Sequence, residues 1–326
     1  MMNSSFLGTA MLRWRIAFGV LIVAALAALC WLDDWLHRVT EVPGIALFPV
    51  LVVVVVLASR EVLHLTAAGG MRPVPWVVYC GSLLVVTSCW VAPVFVKFDD
   101  KLPQDSRYLA LISSAAASDW TLVALAVGVL MAFAAEMYRF KRPGGVTINV
   151  AAAVFGITYV GFLLSFLVKL HLVWGLRALV STLIVVKMGD VGAYAVGRLI
   201  GRSKMAPGLS PGKTIEGALG AMAFACLGSW ATLHWLPTFH QLHWLFQATS
   251  SEGARAGTSW GWILFGLLVG ISGMVGDLAE SLIKRDVQQK DSSDWVPGFG
   301  GVLDILDSAL LAAPAACACW AFRLVT

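Results

Sequence analysis

GDLAESLIKRDVQQKDSSDWVPGFGGVLDILDS, residues 276–308, gathers seven acidic and three basic side chains into 33 positions of a chain that is 59% hydrophobic and 13% charged. Apolar runs flank it on both sides, near 259–276 and 305–324. A bilayer core does not tolerate so dense a polar block, so the block emerges from the membrane and the flanking runs cross it. Two consecutive spans joined by a charged, Gly-punctuated connection therefore meet at one membrane face.

Working outward, apolar runs recur along all 326 residues. A spanning helix needs roughly 20 mostly apolar residues. Windows of that size fall near 16–32, 44–58, 74–96, 120–138, 146–168, 172–196, 215–236, 259–276 and 305–324. The fold class is all-α: a polytopic integral membrane protein of about nine transmembrane helices. The first run follows Arg13 and Arg15 but leads to no small-x-small cleavage site, so it is an uncleaved anchor. With the N-terminus inside, 15 of the 23 lysines and arginines fall on inside segments, which makes the N-terminus cytoplasmic and turns both polar blocks toward the cytoplasm.

Other classes fall away on composition. The six cysteines sit in apolar context without a CxxC, as buried small side chains rather than zinc ligands or disulfides. His234, His240 and His243 lie in a Trp-rich interfacial stretch. No basic, aromatic-interleaved surface points to nucleic acid. No internal repeat supports an inverted-repeat transporter, and a transporter's charges would line a path across the midplane instead of gathering at one face. Segments 97–119 and 237–258 read as outside loops, the former with room for a short interfacial helix.

A second polar block, KMGDVGAYAVGRLIGRSKMAPGLSPGKTIEG, spans 187–217. Asp190, Tyr194 and Gly197 share one helical face, with Arg198 beside them. An Asp190–Arg198 ion pair is the purely structural alternative. Gly189, Gly192, Gly197 and Gly201 favour close helix packing. GLSPGKT is not a P-loop, since Pro207 occupies the position of the required glycine and no strand of a βαβ unit precedes it. What remains is a Pro/Gly-rich loop carrying Lys213 and Thr214 before a helix, a setting suited to a phosphate.

In the first-quoted block, Asp277, Glu280, Ser281 and Lys284 fall at i, i+3, i+4 and i+7 on one helical face. Arg285 and Lys290 follow, and Asp304 and Asp307 open the last span. Hard cations such as Mg²⁺ bind through carboxylates together with substrate phosphates, and lysine or arginine takes the remaining phosphate charge. The set matches phosphoryl or nucleotidyl transfer, where positioning and charge neutralisation dominate. The alternative is a network of ion pairs that ties two helix ends together.

At these residues the chain resembles the CDP-diacylglycerol synthase family, also called phosphatidate cytidylyltransferase. The family's S-x-x-K-R…K-D…P-G-H-G-G-x-x-D-R-x-D pattern is met by Ser281, Lys284, Arg285, Lys290, Asp291, Pro297, Gly298, Gly300, Gly301, Asp304 and Asp307. Residues 187–217 are similar to its D-x-x-A-Y-x-x-G-R…SPKKTWEG stretch. The match covers residues 181–326, a catalytic membrane part; residues 1–180 match as membrane spans, a lipid-facing and dimerisation part.

The resemblance implies attack of a phosphatidate oxygen on the α-phosphorus of CTP, with Mg²⁺ and room for a second cation, releasing pyrophosphate and CDP-diacylglycerol for phospholipid biosynthesis. It implies Asp277, Lys284, Arg285 and Asp304 as catalytic residues, and Asp277 and Asp304, then Asp307 and Glu280, as metal ligands. Lys213, Thr214, Ser281, Lys290, Asp190 and Tyr194 would bind substrate. A homodimer among membrane lipids, in the bacterial cytoplasmic membrane with its active site toward the cytoplasm, is also implied. The sequence departs from the pattern at Phe299 (for His), Ile305 (for Arg), Gly212 (for Lys) and Ile215 (for Trp), so another lipid phosphate, such as a polyprenyl type, is the alternative acceptor. A non-catalytic descendant of the enzyme would more naturally lack Asp277 or Asp304.

Overall fold

The computed structural model describes residues 24–91 (save 38, 41 and 43), 106–235 (save 142, with backbone alone over 106–119), 260–293 and 300–325. Residues 1–51 and 52–326 are two compact units. In the first, α1 covers 24–37. Its Asp33 is buried, and the carboxylate accepts the backbone N–H of Gly44 (3.2 Å) and of Ala46 (2.9 Å) just ahead of the next helix. An acid at that place satisfies amides that a helix start leaves without partners.

Among the described residues, the regular structure that follows is helical apart from one hairpin. In order come α2 (Leu47–Ala68), α3 (Pro75–Thr87, closing in a 3₁₀ turn over Ser88–Trp90), α4 (Ser106–Arg139), α5 (Val146–Trp174), α6 (Leu176–Ile200), α7 (Ile215–Trp235), α8 (Gly261–Asp286) and α9 (Val302–Ala321). Proline starts α3, where its missing N–H costs nothing. Gly175, at φ +80°, separates α5 from α6. Residues Ile157–Phe162 of α5 are π-helical.

Six of these helices are long and apolar enough to cross a membrane: α2, Trp120–Arg139 of α4, α5, α6, α8 and α9. Helix underlies the described part of every expected span; residues 16–23 of the first span lie outside the described residues. Residues 106–119, expected in an outside loop with room for a short interfacial helix, continue the helix of α4. The 97–105 and 237–258 expectations also fall outside the described residues.

Two packing groups build the larger unit. Val77, Val78 and Val85 of α3, Ala124 and Ala132 of α4, and Val150, Ala153 and Ile157 of α5 form one apolar cluster. Farther along, α6 packs on α7, α7 on α8, α8 on α9, and α9 back on α5. The glycine-lined α6 face approaches α7 closely: a Cβ on Gly192 would stand 2.6 Å from the carbonyl oxygen of Gly220. Leu130, Phe133, Leu219, Leu227, Leu264 and Leu268 point outward, as side chains facing lipid do.

Between α6 and α7 the expected loop is a two-stranded antiparallel hairpin, β1 (Lys204–Ala206) with β2 (Ser210–Thr214), in register Lys204 to Thr214 and Ala206 to Ser210. This small sheet is the exception to an all-α fold. Pro207 and Gly208 turn the chain. The Glu216 carboxylate fastens the base, accepting the amides of Arg202 (3.1 Å) and Ser203 (3.1 Å). Thr214 ends β2 and caps α7, its Oγ1 accepting the Gly217 N–H at 3.1 Å.

Candidate active site

The site begins where α8 and α9 touch most closely. A Cβ on Gly276 would lie 2.4 Å from the carbonyl oxygen of Asp307, so a side chain there would force the helices apart. This contact sets Asp277 of α8 beside Asp307 of α9, which is buried and within electrostatic reach of both Asp277 and Lys187. One turn along α8, Glu280 is 1% exposed. Lys284, one further turn on, donates to Glu280 Oε2 (3.0 Å) and to Asp304 Oδ1 (2.5 Å). The 277/280/284 face therefore exists as its spacing required, and it is joined to α9 by a shared lysine.

Asp304 is held on both oxygens. Oδ2 accepts the Gly301 N–H (2.7 Å), the Ser292 hydroxyl (2.7 Å) and the Ser292 N–H (3.1 Å). The bond from Gly301 caps the first turn of α9, which leaves Val302 and Leu303 with open amides. Glu61, from α2, fills them: its Oε1 accepts Val302 N–H (2.9 Å) and Ser293 Oγ–H (2.7 Å), and its Oε2 accepts Leu303 N–H (2.7 Å) and lies 3.1 Å from Ser292 Oγ, whose one proton it shares with Asp304. Glu61 is 4% exposed, and a Cβ on Gly301 would sit 2.5 Å from each of its oxygens. Only glycine fits between this carboxylate and Ser292.

The hairpin brings the second polar block to the first. Lys213 Nζ lies 2.8 Å from Asp277 Oδ2. Arg285 Nε donates to the Leu209 carbonyl in the hairpin turn (3.4 Å), and its NH1 donates to the Gln289 carbonyl (3.2 Å). Lys213, Asp277, Glu280, Lys284, Arg285, Asp304 and Asp307 thus come together. Ser281 is half-buried on α8 and Lys290 is exposed beyond its end. Thr214 is buried, with its hydroxyl oxygen committed to the cap of α7.

Asp190 and Tyr194 stand somewhat apart. Asp190 pairs with Lys187 at 3.0 Å, and the same ammonium lies 3.5 Å from the carbonyl oxygen of Ile305 on α9. Arg198 donates to the Tyr194 hydroxyl at 2.5 Å, so the Asp190–Arg198 pair considered from the sequence does not form. Among the departures from the family pattern, Ile215 and Ile305 are exposed, and nothing lies within 4 Å of a Cβ placed on Gly212. Phe299 falls outside the described residues.

Among the described residues, no three of His, Cys, Asp and Glu gather closely enough to cage a metal by themselves. The ion-pair alternative accounts for Glu280, Lys284 and Asp304. Asp277 and Asp307 are the acids left beside one another, with Lys213 paired to Asp277. Two carboxylates with room for substrate oxygens suit a hard divalent cation, which takes few protein ligands.

Sequence reasoning missed Glu61, Ser292 and Ser293. The signal for Glu61 was present: Val55, Ala58, Ser59, Val62, Leu65 and Thr66 are buried at three- and four-residue spacings, and Glu61 continues that face.

Comparison with known proteins places the chain in a family. The model of the Cytidylyltransferase family matches residues 13–322. The chain is 26% identical over 294 residues to a phosphatidate cytidylyltransferase of Synechocystis, covering 80% of this chain and 83% of that one. It is 37% identical over 140 residues to a phosphatidate cytidylyltransferase of Haemophilus influenzae (43% and 44% covered). It is 34% identical over 161 residues to the uncharacterized protein YnbB of Escherichia coli (49% and 48% covered). The latter two matches thus span about half the length of those relatives. With the family match running through α2, the hairpin and the α8–α9 pair alike, the chain belongs to the cytidylyltransferase family.

Proposed function

We propose that this membrane protein transfers the cytidylyl group of CTP to phosphatidate, forming CDP-diacylglycerol and pyrophosphate. The observation that carries the reading is the 2.8 Å contact of Lys213 with Asp277, which unites two polar blocks far apart in sequence beside the Lys284 cluster. A phosphatidate oxygen forms a bond to the α-phosphorus of CTP, and the bond from that phosphorus to the bridging oxygen of the β-phosphate breaks. The acceptor phosphate is already anionic, so no general base has to remove a proton.

The residues divide the work by charge. Lys213 can exchange Asp277 for a phosphate, Arg285 stands at the hairpin side to meet the polyphosphate, and exposed Lys290 adds a cation beyond the end of α8. The start of α9 is no phosphate cradle, because Gly301, Val302 and Leu303 already donate to Asp304 and Glu61. Lys284, fixed by Glu280 and Asp304, offers a positioned cation that needs no reorganisation during transfer. Asp277 and Asp307 would hold Mg²⁺, which when bound neutralises charge on the reacting and leaving phosphates. Ser281, Asp190 and Tyr194 flank the nucleotide side in this reading, and Thr214 serves through the hairpin it anchors.

In our reading the chain crosses the bacterial cytoplasmic membrane nine times from a cytoplasmic N-terminus, presents this site to the cytoplasm and works as a homodimer. The positive-charge asymmetry supports the orientation. The test of acceptor class uses CTP labelled at the α-phosphate with purified protein and either phosphatidate or a polyprenyl phosphate. Label entering lipid with phosphatidate alone supports the proposal. Label entering the polyprenyl lipid alone overturns it in favour of the other acceptor.

A further inference from the structure

We infer that Glu61 is a positioning residue for the transfer reaction: from α2 it sets the first turn of α9 so that Asp304 holds Lys284 in place. The inference rests on the proposed transfer activity and goes beyond it, since no catalytic role assigned above involves α2.

Three donors converge on this one carboxylate, and a fourth, the single Ser292 hydroxyl proton, is shared with Asp304, all between 2.7 and 3.1 Å. A carboxylate whose acceptor sites are so fully used is a fixed object, and its 4% exposure removes water as a substitute. Two of the donors are the amides of Val302 and Leu303, so Glu61 fixes the start of the helix that carries Asp304 and Asp307. The other two are the hydroxyls of Ser292 and Ser293, so it also fixes the segment that leads out of α8. Ser292 closes the circuit, since its hydroxyl lies 2.7 Å from Asp304 Oδ2 as well. The chain Glu61–Ser292–Asp304–Lys284–Glu280 therefore runs from α2 to the face of α8.

A role in stability alone would also bury a capping acid here. What separates the two is the far end of the network. Asp304 Oδ1 meets Lys284, so a shift in the first turn of α9 moves the ammonium that the reaction uses. Glutamine at position 61 keeps the size of the side chain but turns an NH₂ toward the amide of Val302 or Leu303, so one of these two bonds is lost and the serine hydroxyl beside it must turn from donor to acceptor. A misplacement near 1 Å at a reacting group can cost about 100-fold in rate.

The experiment compares Glu61→Gln with wild type in detergent, measuring CDP-lipid formation per folded molecule across CTP concentrations. The expected result is a kcat lowered by about 10- to 100-fold with the KM for CTP within about threefold. Gly301→Ala, which would push its methyl into the same carboxylate, should show the same split. Glu136→Gln serves as the control: Glu136 is a buried acid of α4 paired with Arg139 at 3.4 Å, and its loss should leave kcat unchanged. Wild-type kcat in Glu61→Gln, or a fall matched by the loss of folded protein, overturns the inference. If wild-type protein makes no CDP-lipid, the transfer proposal fails separately. The Glu61 claim is then decided by hydrogen exchange, and unchanged protection of the Val302 and Leu303 amides in Glu61→Gln overturns it.

Discussion

Replacing Lys284 by methionine keeps most of the aliphatic stem and removes the ammonium that Glu280 and Asp304 share. The three side chains are 12, 1 and 11% exposed, so solvent screens little of what is left. Removing one partner of such a pair leaves an uncompensated buried charge and costs about 3–5 kcal/mol. Lys213→Met makes the matching comparison. Its pair with Asp277 is 22 and 38% exposed, close to the class whose loss costs about 0–1 kcal/mol. Both variants should lose turnover, but only Lys284→Met should lose substantial stability. Adding Glu280→Gln to Lys284→Met removes one of the stranded acids and should restore part of the loss. Unfolding in detergent micelles, followed by heat and by SDS titration, measures the ranking. Lys284→Met within 1 kcal/mol of wild type, or Lys213→Met the less stable of the two, would refute the buried-pair reasoning.

Other outcomes follow from the same geometry. Asp277→Asn should abolish turnover while the protein stays folded and inserted, because its partner Lys213 is partly exposed; full activity would remove the proposed metal site. Asp304→Asn should lose both activity and stability, since it weakens the hold on Lys284 and on the start of α9, and thermal unfolding will separate it from Asp277→Asn. Thr214→Ala should cost about 1 kcal/mol through the cap of α7, read by the same unfolding assay. Gly212→Lys should give equal or higher activity with a lower KM for CTP, because a side chain meets open space there; a sharp loss would show that this turn contacts substrate through its backbone.

Much of the site could be read from spacing. The 277/280/284 face needed only helical periodicity, and Asp304 and Asp307 needed only the boundary between a polar block and an apolar run. Lys213 was visible as a lysine ahead of a helix, although its partner Asp277 was not. The hairpin was hidden because strands of three and five residues carry no measurable alternation. Helical spacing puts Glu61 on the buried face of α2, but its role was hidden because its donors lie more than 230 residues away, a contact that spacing alone does not report. The apolar window also ends near 58, whereas α2 continues to Ala68 and buries Glu61. Lys284 shows a different limit: composition indicated that acids outnumber bases, but only the packing of α8 on α9 showed which acids take the lysine and which remain for a cation.

The α8–α9 face, in this reading, carries out a metal-dependent transfer. Its most direct test incubates the purified protein in detergent with CTP and phosphatidate, with Mg²⁺ or with EDTA, and measures pyrophosphate and CDP-diacylglycerol together. The expected result is equal amounts of the two products with Mg²⁺ and neither with EDTA. Folded protein that forms neither product with Mg²⁺, or forms both at the same rate with EDTA, would contradict the account.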